Sequence, residues 1–381
     1  MSPSAKKVLI LGDGAAGTMM GNKLRFHSDP SDIQITVLGN SEKHYFKPDG
    51  VSIPFGFKDY RNSVKPTRSL FNFGVNYVRE TVASIDVKNS TVIASSGKSY
   101  FYDYLIIATG DRFAYEDLPG YEKAASHFYS LEASLALREK LNHFNGGKIV
   151  IGQASIPIQC PPAPYEFTFQ LEQYLNLRGI RKQTELHYIY PLNRVFTIPN
   201  VAPFVEKLMD DKGIIIHKMF NVDSVEPEIR RLNSIEGETL DYDLLVLVPP
   251  HRGQKVITES GLADESGYID VDRNRLNYAD YDNVFVIGDA TNLPISKAGA
   301  TAHFETEYLA NRLANEVNGN AFFESYGGEV ACTTITSGSR AITLFFSYNK
   351  PPRVNYESKS DYFLKWTSSD TYFTGMIRGI M

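Results

Sequence analysis

At 381 residues the chain is long enough for two or three domains, each with its own core. Hydrophobic content of 43% and charged content of 22% are those of a globular protein, and a net charge of −5 excludes nucleic acid as the main partner, which needs a basic surface. Two cysteines are too few for a disulfide scaffold, so a bond between them would be catalytic or redox-linked.

The N-terminus runs straight into a strand pattern without an apolar stretch and small-residue cleavage site, so no secretory signal is expected. No run of about 18 apolar residues occurs either, and no transmembrane helix is expected. Lys7–Leu11 reads as a buried parallel strand, followed at once by Gly12-Asp13-Gly14-Ala15-Ala16-Gly17 and a helix-like stretch from Thr18 to Leu24. This is GxGxxG in its strand–turn–helix setting. Gly12 makes the turn, Gly14 lets the backbone approach a pyrophosphate, Gly17 allows close packing, and the helix N-terminus faces the phosphate charge. The next strand, Ile33–Leu38, should end in an acid for the adenosine ribose but ends in Gly39-Asn40. Asn40, or Glu42 nearby, is the expected partial substitute.

Tyr102–Gly110 is a strand closing on Ala108-Thr109-Gly110. Gly146–Gly152 opens a second doubly wound unit, where a nicotinamide site would need another GxGxxG starting at Gly152. The sequence places Ala154 at the point of closest backbone approach and Pro157 at the third glycine. A methyl group and a rigid ring there work against a dinucleotide, so NAD(P)H is not expected as a substrate. Cys160-Pro161-Pro162-Ala163-Pro164-Tyr165-Glu166 follows instead. Strands at Glu185–Tyr190, Gly213–His217 and Tyr242–Val248, with a helix over Ala202–Asp210, complete the unit before Pro249-Pro250 breaks the chain. Asn283–Ala290 then brings a strand into Gly288-Asp289, Pro294–Gly299 follows, and the second cysteine closes Tyr326-Gly327-Gly328-Glu329-Val330-Ala331-Cys332. In the tail, Phe363, Trp366, Phe373, Ile377 and Ile380 fall near one helical face, with Lys359, Lys365 and Arg378 around them. That suits a segment lying in a membrane interface as well as a helix docked on the core or on a dimer partner. No Cys/His cluster has metal-ligand spacing, and His127 and His187 read as structural histidines.

The GxGxxG, the Ala-Thr-Gly strand and the Gly288-Asp289 segment together resemble the three flavin-binding signatures of the pyridine nucleotide–disulfide oxidoreductase superfamily. The likeness covers nearly the whole chain. It implies an α/β fold with two Rossmann-like doubly wound domains. The FAD domain would be discontinuous, residues 1–112 and 258–320, around a second unit at 113–257 with a degenerate NAD site. Residues 321–381 would form a small C-terminal region carrying Cys332 and the amphipathic tail. FAD would be held by Gly12, Gly14, Ala15, Ala16, Gly17, Asn40, Thr109, Gly110, Gly288, Asp289, Lys297 and Ala298, with Asp289 on the ribityl chain.

The cysteine settings narrow the resemblance to sulfide:quinone oxidoreductases and the flavoprotein of flavocytochrome c sulfide dehydrogenases. Their Cys-Pro-Pro with a later glutamate is matched by Cys160 and Glu166. Their Tyr and Gly before the second cysteine are matched by Tyr326, Gly328 and Cys332, and their Pro-x-x-Lys-x-Gly by Pro294–Gly299. The resemblance implies that hydrosulfide is oxidised to sulfane sulfur or polysulfide through Cys160 and Cys332. Cys332 would be the flavin-facing thiolate, Cys160 the carrier of the growing sulfur chain and Glu166 the base. Lys297 would set positive charge near the pyrimidine end of the flavin, and electrons would leave to quinone at a membrane surface. Many of these relatives carry a third cysteine near His127–Glu132; none stands here, so FAD should be bound non-covalently. The rival readings are transfer to a cytochrome c, a type II NADH dehydrogenase, and a flavoprotein that binds a redox partner with inert cysteines. The oligomeric state stays open.

Overall fold

The structure, a computed structural model, describes residues 5–354 and 356–381. Its first sheet is five-stranded and wholly parallel, in the spatial order Val284–Val286, Tyr104–Ile107, Lys6–Leu11, Ile33–Gly39, Val75–Arg79. Continuous apolar runs make these strands. Val8, Leu9, Ile10 and Leu11 are all buried, as a strand covered on both faces requires. The second sheet is four-stranded and parallel, ordered Ile215–Lys218, Thr184–Tyr190, Gly147–Gln153, Leu244–Val248. Each sheet carries a three-stranded antiparallel meander between its crossovers, Val82–Asp86/Thr91–Ala94/Ser99–Phe101 in one and Val222–Glu226/Arg231–Ser234/Thr239–Asp241 in the other. A short antiparallel pair, Asp111–Phe113 with His251–Gly253, ties the two units where the chain leaves one and returns from the other. The protein is thus α/β with two Rossmann-like units.

The C-terminal region is a hairpin, Val330–Ser337 with Arg340–Phe346, followed by helices Lys359–Trp366 and Ser368–Thr374 and a turn of 3₁₀ helix at Met376–Arg378. The single amphipathic face expected of the tail is therefore broken. Phe373 and Ile377 are buried in the core of the first unit, while Phe363 and Ile380 are exposed. Trp366 is pinned by Lys58, whose Nζ stands 4.7 Å from its ring centroid and also donates to its carbonyl. Lys365 is turned inward rather than toward a headgroup layer. The physical reason is local: Thr367 ends the first helix, and the chain beyond it folds against the helix Ala15–Phe26. There Asn22 donates to the Ile377 carbonyl (2.6 Å) and Asn72 to that of Arg378 (2.8 Å).

Candidate active site

Cys160 sits in an irregular segment between the strand ending at Gln153 and the helix Ala163–Leu177. Its backbone is left-handed, with φ of 44°, a conformation that costs a non-glycine residue about 1 kcal/mol or more and needs outside support. That support is visible. Cys160 N–H donates to the Lys297 carbonyl at 2.6 Å, and Gln159 bridges Lys297 in parallel. The Gln159 amide reaches the Asp111 carboxylate and accepts from Lys47 Nζ (3.1 Å), and Tyr129 Oη donates to the Cys160 carbonyl (3.4 Å). The turn is fastened to the first unit through Lys297, Asp111 and Lys47 and to the second through Tyr129.

Cys332 comes from the hairpin strand Val330–Ser337 and faces Cys160, the two sulfurs sharing a hydrogen bond between free thiols. That bond, with burial, pushes the Cys160 thiol well above its usual range. The same bond lowers Cys332 against the cost of its burial, and the Lys365 ammonium lowers it further. Of the two sulfurs, Cys332 is the one whose surroundings favour negative charge.

Glu166 lies in the first turn of Ala163–Leu177 and is 1% exposed, which rules out a solvent-facing glutamate. Its Oε1 accepts from Ile335 N–H (3.0 Å), joining the helix to the Cys332 strand, and its Oε2 lies 3.3 Å from Lys365 Nζ. Burial raises its carboxyl above the ordinary value, with Lys365 opposing. Burial alone would lower the Lys365 ammonium, but Glu166 and the two cysteines outweigh it and raise it. Lys365 is the member that sequence reasoning misplaced. Nothing in a mixed aromatic–lysine tail tells which lysine turns inward.

The first unit's strand ends form a cradle that fits a dinucleotide. A Cβ on Gly12 (φ +112°) would collide with the Ala108 carbonyl and one on Gly17 with the Gly12 carbonyl, whereas one on Gly14 would meet nothing within 4 Å. Gly14 therefore leaves open space at the N-terminus of the helix Ala15–Phe26, where backbone N–H groups favour phosphate. Thr109 Oγ1, buried between Ala108 and Gly110, has no partner, a donor left for a ligand. Asp289 lies in the turn after Val284–Val286. Burial first and Asp111 second raise its carboxyl to about 6. Glu305, absent from the sequence expectations, is buried on the helix Gly299–Val317, accepts from Gly288 N–H, and is raised by burial to about 7. A charge on the buried stripe with Ala302 and Leu309 was the available signal. Ala298 caps that helix. Lys297 is buried, with Nζ donating to the Asp289 (3.0 Å) and Thr291 carbonyls above the Tyr268 ring, so its charge acts through the Asp289 turn. Asn40 is exposed, its amide 3.3 Å from Thr81 Oγ1.

At the second sheet the compact strand–turn–helix is lost. The first unit's helix begins at Ala15, just past the strand end at Leu11; here the strand ends at Gln153 and the helix waits until Ala163. The intervening turn holds Cys160 where a phosphate loop would close. Among the described residues, no three His, Cys, Asp or Glu side chains cluster as metal ligands.

Two dinucleotide folds with a facing cysteine pair between them define a dithiol-bearing oxidoreductase. The pyridine nucleotide-disulphide oxidoreductase family model matches residues 6–306, and the chain belongs to that family of flavin-dependent enzymes. It is similar to the mitochondrial sulfide:quinone oxidoreductase of Mus musculus, 27% identical over 358 residues that cover 91% of this chain and 79% of that one. The sulfide-quinone reductase of Aquifex aeolicus is 25% identical, with 98% and 91% covered. The crystal structure of the Aquifex aeolicus sulfide:quinone oxidoreductase superposes with a TM-score of 0.88 at 24% identity, over 98% of this chain and 92% of that one. A type II NADH:quinone oxidoreductase of Staphylococcus aureus is 24% identical over 84% of this chain and 85% of its own length.

Proposed function

We propose that the protein is a sulfide:quinone oxidoreductase, associated peripherally with a membrane, that oxidises hydrosulfide to sulfane sulfur or polysulfide. The observation that carries this reading is the facing pair Cys160 and Cys332 with the Glu166–Lys365 ion pair against it. The relatives named above support it. In the oxidised enzyme the two sulfurs are joined. Hydrosulfide attacks Cys160 Sγ, a new S–S bond forms, and the Cys160–Cys332 bond breaks with Cys332 leaving as thiolate. Cys160 then carries the persulfide, whose proton passes to Glu166, a carboxylate raised toward the range useful for a base. Lys365 holds the Cys332 thiolate by charge. Non-covalently bound FAD, held at Gly12, Gly14, Ala15, Ala16, Gly17, Thr109, Gly110, Gly288, Asp289 and Ala298, supplies the acceptor for the electron pair and its outlet to quinone.

No described helix is long and apolar enough to cross a membrane. Phe363 and Leu364 on Lys359–Trp366, with Phe345 on the hairpin that this helix packs against, are the exposed apolar side chains offered for surface contact. The test is anaerobic titration of the holoenzyme. Sulfide should bleach the flavin within the mixing time of a stopped-flow experiment, NADH should not, and Cys332→Ser should lose the sulfide response. Equal rates in Cys332→Ser and wild type would refute the mechanism, and rapid bleaching by NADH would favour the type II NADH dehydrogenase reading instead.

A further inference from the structure

The second strand of the first sheet ends at Gly39, where the dinucleotide fold ordinarily presents an acid to the adenosine ribose. The two substitutes nearest in sequence are committed elsewhere: the Asn40 amide to Thr81, and Glu42 toward Arg79 at 3.9 Å. A carboxylate nevertheless stands there. Asp13, the residue between the first two glycines of the loop, sends its side chain over the end of the second strand. A Cβ built on Gly39 would fall onto Asp13 Cβ, Cγ and Oδ2. The backbone of Gly39 is not left-handed, so its lack of a side chain answers to space and not to φ. Asp13 and a side chain at position 39 exclude one another.

We propose that Asp13, with Ser41, replaces the missing strand-end acid and receives the adenosine ribose hydroxyls of FAD. Three donors hold the carboxylate: Ser41 N–H (2.8 Å) and Tyr77 Oη (2.9 Å) on Oδ2, and Ser41 Oγ (2.8 Å) on Oδ1. An ionised carboxylate has about four acceptor positions, so one remains, on Oδ1. Ser41 Oγ spends its proton on Oδ1 and keeps lone pairs of its own. The two oxygens lie side by side and accept one hydroxyl each from a vicinal diol. Asp13 is 6% exposed and fixed at its backbone as well, its carbonyl accepting from Thr18 Oγ1 (3.0 Å) and facing His44 Nδ1 (3.2 Å). The diol therefore meets a pre-set acceptor pair. The inference rests on the flavin assignment and is independent of which electron donor or acceptor the enzyme uses.

The experiment uses the full chain stripped of flavin. It is titrated with FAD and with an FAD analogue lacking both adenosine ribose hydroxyls, binding being read from quenching of flavin fluorescence. Wild type should prefer FAD by about tenfold or more, the worth of a hydrogen bond to a charged group. In Asp13→Asn that preference should fall below about threefold, with the analogue bound as before. Gly39→Glu alone forces two carboxylates into one space and should weaken FAD at least about tenfold. The exchange Asp13→Gly/Gly39→Glu, which moves the acid back to the strand, should restore both affinity and preference. An undiminished preference in Asp13→Asn, or an exchange variant no better than Gly39→Glu, overturns the proposal. Wild type that takes up FAD without regard to the hydroxyls overturns it alone, whereas wild type that takes up no flavin overturns the flavin assignment with it.

Discussion

Lys365 governs the charge of the sulfur site without being one of its sulfurs. A buried carboxyl and a thiol pair in one small volume would all drift toward neutrality, because burial penalises each ionised form. The Lys365 ammonium holds Glu166 down against that drift and lowers Cys332. Replacing it by methionine should therefore raise both groups. The fraction of Glu166 ionised at neutral pH drops, and the acid limb of the pH profile for flavin reduction by sulfide moves to higher pH. A stopped-flow series across pH reads this directly; an unmoved limb would show that Glu166 is not the group that titrates. The same change strands a buried carboxylate and should cost about 3–5 kcal/mol of stability, seen in denaturant unfolding. The double variant Glu166→Gln/Lys365→Met should recover much of that stability but none of the rate.

The tail acts as an element of the cofactor domain. Tyr372, on Ser368–Thr374, donates to His44 Nε2 at 2.7 Å, and His44 Nδ1–H faces the Asp13 carbonyl, so two side chains and a backbone carbonyl wire the tail to the glycine loop. Burial keeps His44 neutral, its value lowered to about 4, which suits one donor and one acceptor nitrogen. Tyr372→Phe leaves the acceptor nitrogen buried and unmet and should cost about 1–3 kcal/mol. Removing residues 367–381 should yield protein depleted of flavin, measured as the ratio of flavin to protein absorbance after purification; full flavin content would show that the tail's docking is incidental. The two doubly wound units were legible from apolar runs and glycine spacing, within a residue or two at most strand ends. So was the convergence of Cys160 and Cys332, because their flanking residues form a pattern. The antiparallel meanders went unread although the chain writes them twice. Ser95–Lys98 and Ile235–Glu238 are matching turns, and Tyr102-Asp103 and Tyr242-Asp243 matching returns to the sheet. Asp103 accepts from Lys7 N–H (2.7 Å) just as Asp243 accepts from Lys148 N–H (2.8 Å). The inward turn of Lys365 and the reach of Asp13 over Gly39 were not legible. Each is a side-chain direction set by tertiary contacts and carries no periodic signal.

Across the whole molecule, buried acids and buried histidines pull the pH dependence of stability in opposite senses. Asp111 and Asp289 are raised by burial to about 6 and Glu305 to about 7. The folded state then binds protons that the unfolded chain has released, so their contribution is full below about pH 4 and is lost as pH rises through 6 and 7. His44, His127, His251 and His303 are all lowered by burial to about 4. For them the unfolded chain binds the protons, and their contribution is present above about pH 6.5 and lost as pH falls toward 4. With three groups against four, the flavin-free protein should show a shallow dependence between pH 4 and 6.5. Glu305 is the group with which to unmask it. It faces Gly288 N–H, Asp289 and Lys297, and glutamine can keep the bond to Gly288 while removing the titration. The stability difference between wild type and Glu305→Gln should be roughly 3 kcal/mol more favourable to wild type at pH 4.5 than at pH 8. The variant's own curve should climb more steeply with pH because the histidines are left less opposed. Urea unfolding at half-unit pH intervals measures both, and parallel curves for the two proteins would mean that Glu305 keeps an ordinary carboxyl value inside the fold.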